Sequence, residues 1–178
     1  MKILTKLNTD KTAESVDAQL IHAEIKKLNM DFVVTVPDTH QETLLALLEE
    51  DSDIRLLTVA TEDEAICINA GLYIGGKNSM LLIQNNGFYA SINTLRGIAL
   101  EARVPTFMLV GQFGRDLSIP VNENKTRSVY MLEPTMETWG VPYYKLGGPG
   151  DLHVIERGYK QSLGERKPVV VIVEAPTC

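Results

Sequence analysis

Three consecutive acidic residues, Glu62, Asp63 and Glu64, stand between an apolar segment and a nearly uncharged stretch rich in Ala, Ile and Gly. Acids at the start of a helix commonly complement the helix dipole and cap its free N–H groups. A carboxylate held in a dry crevice at the same place could instead donate or accept a proton. The three acids are therefore candidates both for helix capping and for general acid–base chemistry.

Other polar residues follow apolar segments in the same way. His40 comes directly after Pro37–Thr39, and Gly87 lies in the stretch "QNNGFYAS", where a glycine can let a ligand approach the backbone closely. Arg115 belongs to a polar stretch of an acidic chain. Solvated surface charge is the ordinary role for such an arginine, and pairing with a substrate oxyanion is the alternative.

Several common sites are excluded by spacing. No Gly-Lys-Ser/Thr follows Gly87, so the stretch is not a P-loop, and no G-x-G-x-x-G dinucleotide motif is present. The two cysteines, Cys67 and Cys178, have neither metal-ligand nor disulfide-framework spacing. No protein-held metal is expected from these patterns.

Composition predicts one globular domain over residues 1–178. The chain is 44% hydrophobic, with a net charge of -6, which is ordinary for a soluble protein. No basic stripe predicts binding to nucleic acid, and no apolar run reaches the roughly 20 residues of a membrane span. The N-terminus lacks the apolar region of a signal peptide. A cytoplasmic protein is the expectation.

Short, continuously apolar segments alternate with helix-like segments along the chain. Strands are predicted at 32–36, 54–60, 79–84, 106–111, 141–146 and 168–173. Helices are predicted at 10–29, 40–50, 63–74, 89–102, 134–138 and 151–163, with Asp151 as an N-cap and a long loop at 112–125. This alternation predicts a doubly wound α/β fold, with a mainly parallel sheet of about six strands and helices on both faces. Ligands of such sheets bind beyond the carboxyl ends of the strands, where the polar residues named above are expected to gather.

Four stretches in this order form a recognisable pattern: "TVPDTHQETLLALLEE", "TEDEAICINAGLYIGG", "LLIQNNGFYASINTLRGIA" and "VPTFMLVGQFGRD". Together they resemble the pyrimidine-binding domain of thiamine diphosphate enzymes. The likeness is closest to the sulfopyruvate and phosphonopyruvate decarboxylases, above all to the separate alpha subunit of the former. It covers about residues 10–173.

The resemblance separates the three acids. In that family, the Glu that opens the helix after the second strand hydrogen-bonds N1′ of the cofactor's aminopyrimidine and thereby promotes activation of the thiazolium carbon. The matching residue is Glu62, while Asp63 and Glu64 keep the capping role. Thr39 falls where relatives carry Ser or Asp near the reacting carbon, which makes it a second catalytic candidate. Threonine cannot replace Asp as an acid or base at neutral pH.

The resemblance also implies binding residues. Cofactor contacts are expected from two loops, at Pro37, Asp38, Asn86, Gly87 and Phe88, in addition to Glu62. Substrate contacts are expected from His40, Tyr89 and Arg115. Tyr89 stands where relatives often carry a second glycine, so this loop is bulkier here.

The resemblance finally implies a partner. Thiamine diphosphate enzymes hold the diphosphate and Mg²⁺ on a second domain with a Gly-Asp-Gly motif, which this chain lacks. The expected protein is one subunit of a hetero-oligomer, whose separate beta subunit holds the diphosphate and Mg²⁺ and whose substrate is a small anionic 2-oxoacid. Two alternatives remain open: a subunit of another split thiamine-dependent enzyme, either a carboligase or a decarboxylase of a different 2-oxoacid, and a non-catalytic regulatory or scaffolding domain.

Overall fold

The protein is built around one six-stranded parallel sheet. A computed structural model describes residues 15–178. The strands are β1 (Phe32–Thr35), β2 (Arg55–Thr58), β3 (Ser79–Gln84), β4 (Thr106–Gly111), β5 (Tyr143–Leu146) and β6 (Pro168–Val173). Their spatial order is β2-β1-β3-β4-β6-β5, and every neighbouring pair is parallel. The predicted α/β class and the parallel sheet are confirmed.

Helices connect the strands. They are α1 (Ala18–Lys27), α2 (Glu42–Glu50), α3 (Glu62–Ile74), α4 (Asn85–Ala90), α5 (Ile92–Thr94), α6 (Arg127–Tyr130), α7 (Leu132–Thr138) and α8 (His153–Glu165). A π-helical segment, Leu95–Glu101, follows α5, and short 3₁₀ turns occupy Thr39–Gln41, Val121–Glu123 and Pro149–Asp151. Positions 10–14 of the predicted N-terminal helix lie outside the described residues, and α1 begins at Ala18.

Both faces of the sheet are buried because side chains alternate along each strand. In β3, Met80 and Leu82 join the core beneath α1, α2 and α8, while Leu81 and Ile83 join the core beneath α3, the π-helical segment and α7. All four of these side chains are fully buried. Two covered faces explain why the central strands consist of continuous apolar runs.

The prediction of one regular helix at 89–102 is wrong. The helix starts earlier, and it is interrupted. Helix begins at Asn85, directly after β3, and its first segment ends at Ala90 before the chain continues through α5 into the π-helical segment. The Ser91 hydroxyl donates to the Phe88 carbonyl at 3.1 Å. Such a local bond competes with regular helical pairing.

The capping role predicted for Asp151 is also wrong. Helix α8 begins at His153, and Asp151 ends the preceding 3₁₀ turn. Its carboxylate accepts a hydrogen bond from the Gly147 backbone N–H at 3.1 Å. Asp151 therefore closes the loop after β5 and does not cap the start of α8.

No helix within residues 15–178 combines the length and the apolar character that crossing a membrane requires.

A charged cluster joins α1 to the segment after α2. The Asp51 side chain is only 3% exposed, and its Oδ2 lies 2.7 Å from His22 Nε2 and 3.0 Å from Lys26 Nζ. Burial by itself would raise the pKa of Asp51. Hydrogen bonds from the Asp53 backbone, Lys26 and His22 outweigh that effect and lower the pKa to about 2.

This lowered pKa predicts an acid-dependent contribution to folding. Because the folded-state pKa lies below the unfolded value, Asp51 stabilises the fold above about pH 4, and this contribution is lost as the pH falls toward 2. We expect Asp51→Asn to lower the free energy of unfolding by about 2 kcal/mol at pH 7 and by much less near pH 2. Urea titrations across this range measure the difference. The control is Asp53→Asn, because that side chain is 72% exposed and its ion pair contributes little. An Asp51→Asn effect independent of pH would contradict this prediction.

Candidate active site at the carboxyl edge of the sheet

The site candidates meet where the chain reverses direction across the sheet. From β1 the chain passes to β2 on one side and then to β3 on the other. The carboxyl ends of β1 and β3 therefore flank a topological switch point, the usual ligand position in open α/β sheets. The loop at 36–41 follows β1, Thr61 and Glu62 follow β2, and α4 starts directly after β3.

The three acids at the start of α3 have different surroundings. Glu64 Oε2 accepts the backbone N–H of Ala60 at 2.9 Å, which closes the turn before the helix. Hydrogen bonding to Thr61 lowers the pKa of the exposed Asp63 carboxyl. Glu62 is half-buried, and no side-chain hydrogen bond or ion pair with another residue in 15–178 engages its carboxylate. Among the three acids, Glu62 is the one that is partly buried, and its carboxylate is available to a ligand.

Gly87 leaves the space that the Glu62 side chain occupies. A Cβ atom at position 87 would lie 2.1 Å from Glu62 Oε1 and 2.3 Å from Glu62 Cδ, far inside contact distance. Gly87 is buried in α4. The carboxylate therefore rests against the α4 backbone, beside the switch point, and this placement requires glycine.

The loop after β1 alternates between exposed and buried residues. Pro37 and Thr39 are exposed, while Asp38 and His40 are buried. Thr39 is therefore accessible at the carboxyl edge. The Asp38 carboxylate points into the protein and is fixed by hydrogen bonds from its own loop and from β3.

His40 faces the interior. Its Nε2 lies 3.0 Å from the Val173 carbonyl at the end of β6, so Nε2 carries the proton and donates it to that oxygen. Burial lowers the pKa of His40, against hydrogen bonds to backbone carbonyls and the nearby Asp38 carboxylate. A neutral, inward-pointing imidazole ties the loop to β6, and this geometry gives no support to the predicted substrate contact.

Phe88 and Tyr89 occupy different environments. The Phe88 ring is fully buried in the core beneath α3, so only its backbone could reach a cofactor. Tyr89 is half-buried and donates its hydroxyl to the Ser128 carbonyl at 3.3 Å. Burial raises the pKa of Tyr89. Tyr89 lines a mainly apolar surface cleft of about 430 Å³ together with Arg127, Ser128, Met131 and Thr135.

Arg115 is bonded within its own loop. Its Nη1 donates to the Asp116 carbonyl and, at 2.8 Å, to the Ile119 carbonyl. The guanidinium therefore orders the loop after β4, and the predicted substrate contact would require breaking these bonds. Arg127, on the rim of the cleft, is exposed.

Three amide side chains at this edge were missed from sequence. Gln41 and Asn85 are fully buried, and Gln84 is the last residue of β3. Asn85 donates to the carbonyls of Phe113 and Ser128, which fastens the loop after β4 to α4. A polar residue ending an apolar strand was the available signal for Gln84. Among residues 15–178, no group of acidic, His or Cys side chains could hold a metal ion.

Comparison with solved structures supports the fold. The fold is similar to benzoylformate decarboxylase from Polynucleobacter necessarius, with a TM-score of 0.68 and 22% identity, over 89% of this chain and 29% of that one. At this level of identity the likeness shows that the two proteins share a fold.

Sequence comparison is more specific. The sulfopyruvate decarboxylase alpha subunit of Methanocaldococcus jannaschii is 32% identical over 135 residues, 75% of this chain and 78% of its own length. The alpha subunit from Methanococcus maripaludis is 26% identical over 159 residues, 89% of this chain and 94% of its own. No protein-family model matches. The chain belongs to the family of sulfopyruvate decarboxylase alpha subunits.

Proposed function

We propose that this chain is the pyrimidine-binding subunit of a thiamine diphosphate-dependent decarboxylase, with sulfopyruvate as the favoured substrate. The observation that carries the proposal is the Glu62 carboxylate, which rests against Gly87 at the switch point without a partner among the described residues. Family membership supports the same reaction.

The residues at this edge fit the aminopyrimidine ring of the cofactor. The half-buried Glu62 carboxylate provides a proton-binding group that rests against the α4 backbone at the switch point. When bound, the cofactor supplies the electron sink for loss of CO₂ from a 2-oxoacid. Glu62 would hold a proton at N1′ of the aminopyrimidine, and exclusion of water would strengthen that hydrogen bond. Exposed Thr39 is available for the substrate or the cofactor.

The substrate's anionic tail requires a cation. Arg115 is occupied by loop carbonyls, whereas Arg127 stands exposed on the rim of the Tyr89 cleft. Arg pairs well with the oxygens of a sulfonate or phosphonate. Arg127 is therefore better placed than Arg115 for this role.

The exposed surface of α3 is consistent with an interface to a partner subunit. Its outward side carries Cys67, Gly71 and Ile74, and Ile74 is 80% exposed. Glu62 is the first residue of this helix. A subunit that covered α3 would exclude water from Glu62. The same partner would hold the diphosphate and Mg²⁺ through the Gly-Asp-Gly motif that this sequence lacks.

The proposal is tested by reconstitution. The chain is co-purified with a candidate beta subunit chosen for its Gly-Asp-Gly motif, and CO₂ release is measured from sulfopyruvate, phosphonopyruvate and pyruvate, with and without thiamine diphosphate and Mg²⁺. We expect cofactor-dependent release from sulfopyruvate by the complex and none by either subunit alone. Release by this chain alone would refute the shared site. A complex that turns over only pyruvate would favour the alternative decarboxylase, and a complex inactive on all three substrates would contradict the proposal.

A further inference from the structure

A buried carboxylate lies beside the proposed site. Asp38 is 3% exposed. Its Oδ1 accepts the His40 backbone N–H at 2.9 Å and Gln84 Nε2 at 2.9 Å, and its Oδ2 accepts Gln41 Nε2 at 3.1 Å. Burying a charge is costly unless hydrogen bonds compensate. The three donors are neutral groups. The buried carboxylate is therefore stabilised by well-placed hydrogen bonds and not by an opposite charge.

The donors come from different elements on either side of the switch point. Gln41 precedes α2 and also donates to the Ile83 carbonyl at 3.1 Å. Gln84 ends β3. The loop after β1 is consequently bonded to the last two residues of β3. Close packing over the end of β4 reinforces this arrangement, because a Cβ at Gly111 would lie 2.8 Å from Asp38 Oδ2.

Gln84 also makes a hydrogen bond on the side of the proposed ligand site. Its Oε1 accepts a hydrogen bond from Asn86 Nδ2 at 2.8 Å, while its Nε2 donates to Asp38. Asn86 precedes Gly87, against which Glu62 rests. One amide side chain therefore links the buried carboxylate under the first loop to the α4 backbone that positions Glu62.

We propose that Gln84 is a positioning residue. Together with Asp38 it fixes the start of α4 relative to the loop that carries Thr39, and it thereby fixes the backbone at Gly87 against which Glu62 rests. This inference rests on the proposed function for its catalytic consequence. Gln84 acts through Asn86 and Gly87. Its loss should therefore displace the Glu62 carboxylate, which lowers kcat and, because the same carboxylate contacts the aminopyrimidine, also weakens cofactor binding.

The decisive variant is Gln84→Glu. It keeps the shape of the side chain and its acceptor for Asn86, but it replaces the donor that faces Asp38 with a second carboxylate oxygen. We expect faster hydrogen–deuterium exchange of the amides at 86–91 in the full-length chain. In the reconstituted complex we expect the KM for thiamine diphosphate to rise and kcat to fall, each by about 10- to 100-fold.

A swap tests the pair directly. When Asp38→Asn is combined with Gln84→Glu, a flipped amide at position 38 can donate to the new carboxylate at position 84 and accept from Gln41. Only the bond from the His40 N–H is then lost. The double variant should recover most of the exchange protection and the KM. Failure of the swap to improve on Gln84→Glu would contradict the direct pairing.

The matched control is Gln161→Glu. Gln161 is also half-buried, donates to a carboxylate (Glu165 at 2.9 Å) and accepts a hydroxyl (Tyr144 at 2.7 Å), but it lies on α8. We expect wild-type exchange at 86–91 and a wild-type KM. Equal behaviour of Gln84→Glu and Gln161→Glu in both measurements would overturn the proposal.

Two safeguards keep the test decisive. If Gln84→Glu does not fold, Gln84→Met removes both hydrogen bonds without adding charge and carries the same predictions. Hydrogen–deuterium exchange at 86–91 needs no cofactor. It therefore tests the link between Asp38 and α4 whether or not the proposed function is correct. A wild-type complex without thiamine dependence would refute the proposed function, whereas unaltered exchange in Gln84→Met would refute the positioning role.

Discussion

Glu62→Gln is expected to lower kcat of the reconstituted complex by about 10²–10⁴-fold, the usual contribution of a positioned proton-transfer group. Glutamine preserves the size of the side chain against Gly87 but cannot hold or release the proton. Folding should be nearly unaffected, because Glu62 is half-buried and makes no ion pair among the described residues. Steady-state decarboxylation and a thermal melt of the complex measure the two effects.

The matched control for this substitution lies two residues away. Glu64→Gln makes the same chemical change on the same helix, where the side chain closes a turn through the Ala60 N–H. Its activity should stay within about two-fold of wild type, since the glutamine Oε1 can still accept the Ala60 N–H, and even loss of that bond would cost about 1 kcal/mol of stability rather than a catalytic group. Comparable losses of activity in Glu62→Gln and Glu64→Gln would remove Glu62 from the chemistry.

Gly87→Ala is expected to reduce activity about 10²-fold while leaving the fold intact. The new Cβ would lie 2.1 Å from Glu62 Oε1, so the carboxylate must move, and a displacement of about 1 Å in a catalytic group has an effect of this size. Because the Glu62 side chain is flexible and half-buried, it can rotate toward solvent. Ala is also the better helix former by about 1 kcal/mol, so thermal stability should be unchanged or slightly higher.

Two comparisons isolate the cause of that loss. Gly164→Ala, on α8, meets no atom within 4 Å and should be silent in activity. In the Glu62→Gln background, Gly87→Ala should cause little further loss, because two changes that act through one group are not additive. Fully additive losses would show that Gly87 matters for a reason other than the position of Glu62.

Much of the fold could be predicted from the sequence, because the pattern of apolar residues follows directly from which side chains are buried. The apolar runs that form β3 and β4 matched the strands, since both faces of the sheet are covered. The separation of Glu62 from its acidic neighbours came from the resemblance. The structure adds its physical basis: Glu64 is used by the turn, and Glu62 faces a glycine.

The remaining features depend on contacts between distant segments. The partners of Asp38 include Gln84, 46 residues away along the chain, and no local pattern encodes such a pair. His40 and Arg115 were expected to contact substrate because of their loop positions and the family resemblance. Only the folded chain shows that the imidazole bonds β6 and that the guanidinium bonds its own loop.

The most direct test of the central claim is the rate at which the thiazolium C2 proton of thiamine diphosphate exchanges with deuterium in the reconstituted complex, followed by quenched-flow NMR. Wild-type and Glu62→Gln complexes are compared at saturating cofactor, with Glu64→Gln alongside. We predict exchange about 10²–10⁴-fold slower in Glu62→Gln and unchanged in Glu64→Gln. Equal rates in the wild-type and Glu62→Gln complexes would contradict the assignment of Glu62 as the group that activates the cofactor.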